Sequence, residues 1–108
     1  MLQIEPHHYK IVIKILANYP YTFSAYGSRA KGTAHALSDL DLCSLKPIPR
    51  KVISNIQEDF RNSNLPYKVD IIDWNRCSAD FQACIKDDLI TLPCKENDPL
   101  TIELICKS

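Results

Sequence analysis

Two short motifs separated by ten residues carry the residue types that phosphoryl chemistry needs. Gly27 and Ser28 form the first motif, and Asp39 and Asp41 form the second. A glycine lets the backbone approach a ligand closely, and a serine that opens a short helix offers a hydroxyl and backbone N–H groups to a phosphate. Two carboxylates spaced Asp-x-Asp on a strand project the same way, about 7 Å apart, and can converge on a divalent ion. The pair of motifs therefore predicts a nucleoside triphosphate bound as its metal complex.

A later strand offers a third carboxylate. Two-metal phosphoryl-transfer sites commonly use one, which helps to hold the second ion and accepts the proton of the attacking hydroxyl. In the segment YKVDIIDW, Asp70 lies in mid-strand, whereas Asp73 lies near the strand end and shares its face with Val69 and Ile71. We therefore predict that Asp70 is the third metal ligand and that Asp73 caps or pairs within the fold.

Cationic and imidazole side chains near these motifs have less specific patterns. Arg29 and Lys31 follow the Gly-Ser pair, and either is equally well explained as a surface charge. A cation beside a triphosphate makes charge-assisted hydrogen bonds, so we predict Arg29 as a phosphate ligand. His7, His8 and His35 have no partners at metal-ligand spacing and are expected to be structural or solvated.

The elements that must position these residues alternate between helix and strand, which predicts an α/β fold with one small mixed sheet. Helices are expected to cover one face of the sheet, and the aspartates are expected to line the other, open face. The predicted helices are 6–18, 29–31, a segment from Pro49 to about Asn62, and 79–88 with Phe81, Cys84 and Ile85 inward; the predicted strands are 21–26, 39–45, 67–74 and an edge strand at 89–92.

Composition limits the classes of function. The 108 residues include 13 basic and 13 acidic side chains, so no net field attracts nucleic acid or an anionic membrane, and neither is expected as a partner. The chain has no apolar signal region and no run of about 18 apolar residues. Its five cysteines form no CxxC pair, which favours reduced thiols in the cytoplasm. We expect one domain at 1–92 and a C-terminal tail at 93–108 of unknown role.

The segments YGSRAKG, SDLDL and KVDIIDW resemble the signature of the minimal nucleotidyltransferases of the polymerase beta superfamily: Gly-Ser, about ten residues, Asp-x-Asp, and a later strand aspartate. The resemblance covers roughly residues 9–92 and implies the polymerase beta-type nucleotidyltransferase fold. It implies that Gly27 and Ser28 form the triphosphate-binding pair. It also implies that Asp39 and Asp41 are the paired metal ligands and that Asp70 is the third carboxylate. Two Mg²⁺ ions and ATP or another nucleoside triphosphate are the expected cofactors and substrate.

The same resemblance implies the reaction and a partner. A hydroxyl attacks the α-phosphate of the nucleotide, and pyrophosphate leaves. No segment after Leu92 has the length of the helical domain that completes the acceptor site in larger relatives, so we expect a helical partner protein. Minimal members are commonly paired with a HEPN-type toxin, onto whose tyrosine they transfer AMP, or with a four-helix substrate-binding protein.

Three functions follow from this resemblance. The leading hypothesis is an antitoxin that transfers a nucleoside monophosphate, AMP from ATP, to a hydroxyl of its partner. The second is a two-component transferase that modifies a small molecule. The third is a non-catalytic module that neutralises its partner by binding alone.

Overall fold

The computed structural model describes residues 2–93, in which four strands form one sheet with helices packed against it. The predicted tail at 93–108 lies outside the described residues except for Pro93. In chain order the elements are α1 (Pro6–Leu16), β1 (Phe23–Tyr26), α2 (Ser28–Lys31), β2 (Leu40–Ser44), α3 (Arg50–Arg61), β3 (Val69–Asp73), a 3₁₀ turn (Trp74–Arg76), α4 (Ala79–Ile85), a second 3₁₀ turn (Lys86–Asp88) and β4 (Ile90–Leu92).

The sheet is mixed, with the strand order β3-β2-β1-β4. β1 runs antiparallel to both β2 and β4, whereas β2 and β3 are parallel. A parallel pair needs a long crossover, and α3 supplies it between β2 and β3. The predicted fold class, an α/β arrangement around a small mixed sheet, is confirmed.

One face of the sheet carries the main hydrophobic core. Leu40 and Leu42 alternate with Asp41 along β2, and both leucines are fully buried. α1 contributes Tyr9 and Val12 to the same core, because the apolar residues of this helix recur at helical spacing. Burying one such side chain contributes roughly 1.5–3 kcal/mol, so this face sets the register of the strand. Asp41 is thereby directed to the opposite face.

The opposite face is only partly open. Ile85 of α4 packs with Tyr26 and Cys43 in a second, smaller cluster. Ser78 starts this helix by accepting a hydrogen bond from the amide of Phe81 at 3.2 Å, as expected of an N-cap. The prediction that Phe81 and Cys84 point inward was wrong, because both are exposed and only Ile85 of this two-turn helix is buried.

The boundaries of the elements differ from the predicted ones by one to three residues. α1 ends at Leu16 and not at residue 18, and α4 ends at Ile85, because residues 86–88 form a 3₁₀ turn. The edge strand is confirmed as β4, hydrogen-bonded to β1. Every helix within residues 2–93 is too short or too polar to cross a membrane.

Candidate active site

The strand pairing places two of the predicted carboxylates side by side. Asp41 of β2 is paired with Asp70 of the parallel strand β3, and Tyr26 of β1 is paired with Asp41. Since successive residues of a strand face opposite sides of the sheet, both carboxylates lie on the face opposite the Leu40 core. Asp39 directly precedes β2 and is exposed. The three predicted metal ligands therefore occupy the start of two adjacent parallel strands.

Asp41 is in an environment that disfavours its negative charge. Burial raises the pKa of Asp41, the carboxylates of Asp70 and Asp39 raise it further, and Lys68 opposes them only in part. Gln57 of α3 donates a hydrogen bond to Asp70 Oδ1 at 3.3 Å. Within residues 2–93 the three aspartates do not gather with their donor atoms mutually within 4.8 Å. The site is thus a loose group of repelling carboxylates, which a cation would draw together.

Gly27 brings the first motif into contact with the second. Its φ of 77° and ψ of −157° lie in a region that is essentially open to glycine alone. A Cβ atom at this position would lie 2.5 Å from Asp41 Oδ2, well inside van der Waals contact. Any other residue would therefore displace the Asp41 carboxylate. The ten-residue spacing between the motifs thus returns the chain to a direct contact between them.

The start of α2 provides backbone donors beside this contact. The amides of Ala30 and Lys31 donate to the carbonyl of Gly27 at 3.1 and 3.0 Å. The amides of Ser28 and Arg29 precede them and take part in none of the backbone hydrogen bonds found between the described residues. Among the described residues, two backbone N–H groups are therefore left beside the Ser28 hydroxyl at the start of α2.

Arg29 does not have the surroundings predicted for a phosphate ligand. Its side chain is 5% exposed and donates four hydrogen bonds to backbone carbonyls, which belong to Ser38 (2.9 Å), Gln3 (2.9 Å), Ala36 (3.1 Å) and His35 (3.4 Å). Its guanidinium carbon also lies 3.8 Å from the ring centre of Tyr67. These contacts leave little of the guanidinium for a phosphate, so the structure corrects the prediction: Arg29 holds the loop that leads to Asp39.

The other cation of this segment, Lys31, is also engaged. Its Nζ atom lies 3.6 Å from Asp88 Oδ2 on the surface. Such an exposed pair contributes between 0 and about 1 kcal/mol, so Lys31 remains free to exchange partners.

Asp73 has the capping role that the sequence left open for it. Its side chain accepts hydrogen bonds from the amides of Asn75 (2.9 Å) and Ile48 (3.2 Å) and from the Asn75 side chain (3.2 Å), and Arg76 lies 3.7 Å away. Burial alone would raise the pKa of Asp73, but these donors outweigh it and lower the pKa below its ordinary value. Asp73 therefore stabilises the turn after β3 and faces away from Asp41.

Sequence reasoning missed two features of the described residues. Gln57 reaches Asp70 from α3, and nothing in a helical glutamine signals this contact. The statement that His7 and His8 lack ligand partners was wrong, because Glu5 lies within reach of both imidazoles. The acidic residue two positions before His7 was the available signal.

The chain is similar to proteins of a known family. Residues 10–98 match the family described as Polymerase beta, Nucleotidyltransferase. A probable protein adenylyltransferase MntA from Haemophilus influenzae is 36% identical over 99 residues, which cover 88% of this chain and 87% of the relative.

Solved structures share the fold. A crystal structure of a toxin–antitoxin with AMP-PNP has a TM-score of 0.60 at 21% identity, covering 91% of this chain and 80% of that chain. A mutant of the toxin–antitoxin MntA-HpeT has a TM-score of 0.61 at 20% identity, covering 90% of this chain and 78% of that chain. At these identities the structures support the fold alone. With the family match over most of its length and a relative at 36% identity, the chain belongs to the polymerase beta nucleotidyltransferase family.

Proposed function

We propose that this nucleotidyltransferase transfers AMP from ATP to a hydroxyl of a partner protein and acts as the antitoxin of that partner. The observation that carries the proposal is the contact between the two motifs, in which Gly27 lies against Asp41 and Asp41 is paired with Asp70. The relative from Haemophilus influenzae, named a probable protein adenylyltransferase, supports the choice of AMP and of a protein acceptor.

The carboxylates fit the Mg²⁺ ions that this chemistry uses. Asp39, Asp41 and Asp70 offer hard oxygen ligands, and Mg²⁺ is bound in proteins through carboxylates and substrate phosphates. Burial and the neighbouring carboxylates raise the pKa of Asp41, so a bound cation would relieve a repulsion that already exists. We propose that these three residues hold two Mg²⁺ ions, which when bound neutralise charge on the triphosphate and on the leaving pyrophosphate.

The remaining groups bind, orient and move a proton. Gly27 and Ser28 contact the triphosphate through backbone N–H groups and the Ser28 hydroxyl. The acceptor hydroxyl forms a bond to the α-phosphorus, the bond between the α-phosphorus and the bridging oxygen breaks, and pyrophosphate leaves. Asp70 takes the proton of the attacking hydroxyl on a carboxylate oxygen, and Gln57 orients that carboxylate. Arg29 contributes indirectly, by fixing the loop before Asp39.

A helical partner completes the site in this proposal. The sheet face around Asp41 is covered only in part by α4, so an acceptor brought by a second protein would both exclude water and align the hydroxyl. The solved relatives described as toxin–antitoxin structures support a toxin as that partner. We propose a toxin of the HEPN type, with a four-helix substrate-binding protein as the alternative. We also propose that residues 1–92 form the catalytic domain, with 93–108 as an appended tail, and that the protein acts in the cytoplasm.

The experiment that tests this function combines the full chain with labelled ATP, Mg²⁺ and the product of the adjacent reading frame. Intact mass measurement should show one AMP moiety added to the partner, on a tyrosine, serine or threonine, and no addition with the Asp41→Asn variant. An unmodified partner that is still silenced would establish the binding module instead. Label recovered on a small hydroxylated compound would establish the two-component transferase.

A further inference from the structure

Three side chains at the start of α1 form a second group of possible metal ligands. Glu5 is the N-cap residue, and His7 and His8 lie in the first turn. His7 Nδ1 is 3.6 Å and His8 Nδ1 is 3.9 Å from the same oxygen, Glu5 Oε2, and one donor atom of each residue lies within 4.8 Å of the other two. In a tetrahedral zinc site with bonds of about 2.0–2.1 Å, neighbouring ligand atoms are about 3.3 Å apart. Small side-chain rotations would therefore close this group around one ion.

An ion pair with Glu5 needs only one of the two imidazoles. The rings of His7 and His8 have centroids 4.1 Å apart, so two protonated imidazoles would repel each other. Two neutral imidazoles and one carboxylate are instead the His₂Glu ligand set of several zinc sites that keep a fourth position for water.

A buried hydroxyl without a partner gives independent evidence of a ligand. Glu5 and His8 line a cavity of about 360 Å³ whose wall also includes Arg29, His35 and Tyr67. Tyr67 is 9% exposed, and its hydroxyl makes no hydrogen bond within the part of the chain that the structure describes. The imidazole of His8 contacts the ring of Tyr67 edge-on, with centroids 5.5 Å apart. A buried polar group normally has a partner, and a water held by an ion at Glu5 and His8 would supply one.

We propose that Glu5, His7 and His8 bind one transition-metal ion of the Zn²⁺ class, with water in the fourth position. Imidazole ligands favour Zn²⁺, Ni²⁺ and Cu²⁺, whereas carboxylate and water ligands favour Mg²⁺. The chain would thus hold two kinds of ion in two places, and the proposal does not depend on the reaction assigned to Asp41.

The ion would restrain the N-terminal segment, which is hydrogen-bonded through Gln3 to the loop before the aspartates. Gln3 exchanges two hydrogen bonds with Ala34, at 2.8 and 2.9 Å, and its carbonyl accepts from Arg29. An ion bound at Glu5 restrains the residues next to this connection. Because an ion that binds only the folded chain stabilises it, Zn²⁺ should raise the melting temperature.

The test is metal titration of the full chain without an affinity tag, in excess Mg²⁺ so that the aspartates are occupied. Calorimetry should show one Zn²⁺ per chain, and Co²⁺ should give the visible absorption of a tetrahedral nitrogen and oxygen site without a thiolate charge-transfer band. Glu5→Gln and His7→Ala should each weaken Zn²⁺ binding by at least about tenfold. Both residues are exposed, so neither change threatens the fold.

His35→Ala is the matched control, since His35 is an exposed histidine that lines the same cavity outside the ligand group. It should bind Zn²⁺ as the wild type does, and circular dichroism should show that all three variants are folded. A thiolate band, equal weakening by His35→Ala, unchanged affinity in His7→Ala, or no stoichiometric binding would each overturn the proposal.

Discussion

Asp70 and Asp73 lie three residues apart near the two ends of β3, yet their surroundings are opposite. Asp73 is buried and accepts three hydrogen bonds from Ile48 and Asn75, with a cation nearby. Asp70 is half-buried, faces Asp41 and accepts one amide hydrogen bond from Gln57. A carboxylate that accepts several hydrogen bonds from the protein stabilises the fold. A carboxylate that faces another carboxylate can instead bind a cation.

The pKa directions express the same difference. Burial and neighbouring carboxylates raise the pKa of Asp41, so in the absence of metal its ionisation destabilises the fold as the pH rises through that raised value. Hydrogen bonds lower the pKa of Asp73 against the effect of burial, so its charge stabilises the fold above the ordinary carboxyl range.

The largest expected effect comes from Asp41→Asn. This change removes a central metal ligand and should reduce AMP transfer by at least about a thousandfold. It also removes the charge that repels Asp70, so the metal-free protein should be as stable as the wild type or more stable. Initial rates and thermal unfolding in a chelating buffer measure the two quantities. Unfolding of the variant, or full activity, would contradict the assignment; Asp39→Asn is expected to behave in the same way.

Substituting the two aspartates of β3 one at a time tests whether their roles differ. Asp70→Asn should reduce the rate about a hundredfold with little change in stability, as for the loss of a positioned base. Asp73→Asn should lower the free energy of unfolding by about 2 kcal/mol, because charge-assisted hydrogen bonds from buried amides are weakened. Denaturant unfolding measures the stability of both variants, and single-turnover kinetics measures their rates. If the two effects were exchanged, the assignment of the strand face would be wrong.

Gly27→Ala tests the contact between the phosphate motif and Asp41. The new Cβ would meet Asp41 Oδ2 at 2.5 Å and would sit in a strained backbone conformation, so transfer should fall by at least about tenfold. Gly32→Ala is the matched control, since Gly32 also has a positive φ, of 79°, but a Cβ there meets nothing within 4 Å. Both variants should lose stability to strain, and only Gly27→Ala should show a large loss of rate at equal folded fraction.

Arg29→Lys tests whether Arg29, like Asp73, stabilises the fold and does not bind the substrate. Lysine keeps the charge but cannot make the four hydrogen bonds to the loop, so the free energy of unfolding should fall by about 2 kcal/mol. The KM for ATP should change little in the fraction that remains folded. A large rise in KM with unchanged stability would restore the predicted role of phosphate ligand.

The smallest expected effect is the pH dependence of the stability that Asp73 contributes. Because its pKa is lowered in the folded state, its contribution is fully present above the ordinary carboxyl pKa and is lost as the pH falls through the folded value. The stability difference between wild type and Asp73→Asn should therefore shrink as the pH falls below the ordinary carboxyl range. A difference that stays constant as the pH falls would mean that the ionised form makes no special contribution.

Local patterns were sufficient for the fold class and for placing Asp70 on the sheet face of Asp41, with Asp73 on the opposite face. The two-residue period of β2 and β3 places Leu40 and Asp41 on opposite faces in any sheet that buries the leucine, and the register then follows from burial. The glycine at residue 27 is likewise a local requirement, since the start of α2 needs a backbone conformation that only glycine adopts readily.

By itself, the sequence determined the elements, the face of the sheet that carries the aspartates and the family to which the chain belongs. The tertiary structure alone decided the role of Arg29, the contact from Gln57 to Asp70 and the meeting of the Glu5 carboxylate with two imidazoles. The physical reason is that periodicity specifies which way a side chain points from its own element. Which carbonyl, carboxylate or ring it then meets depends on segments brought near by folding, such as Gln3, 26 residues before Arg29.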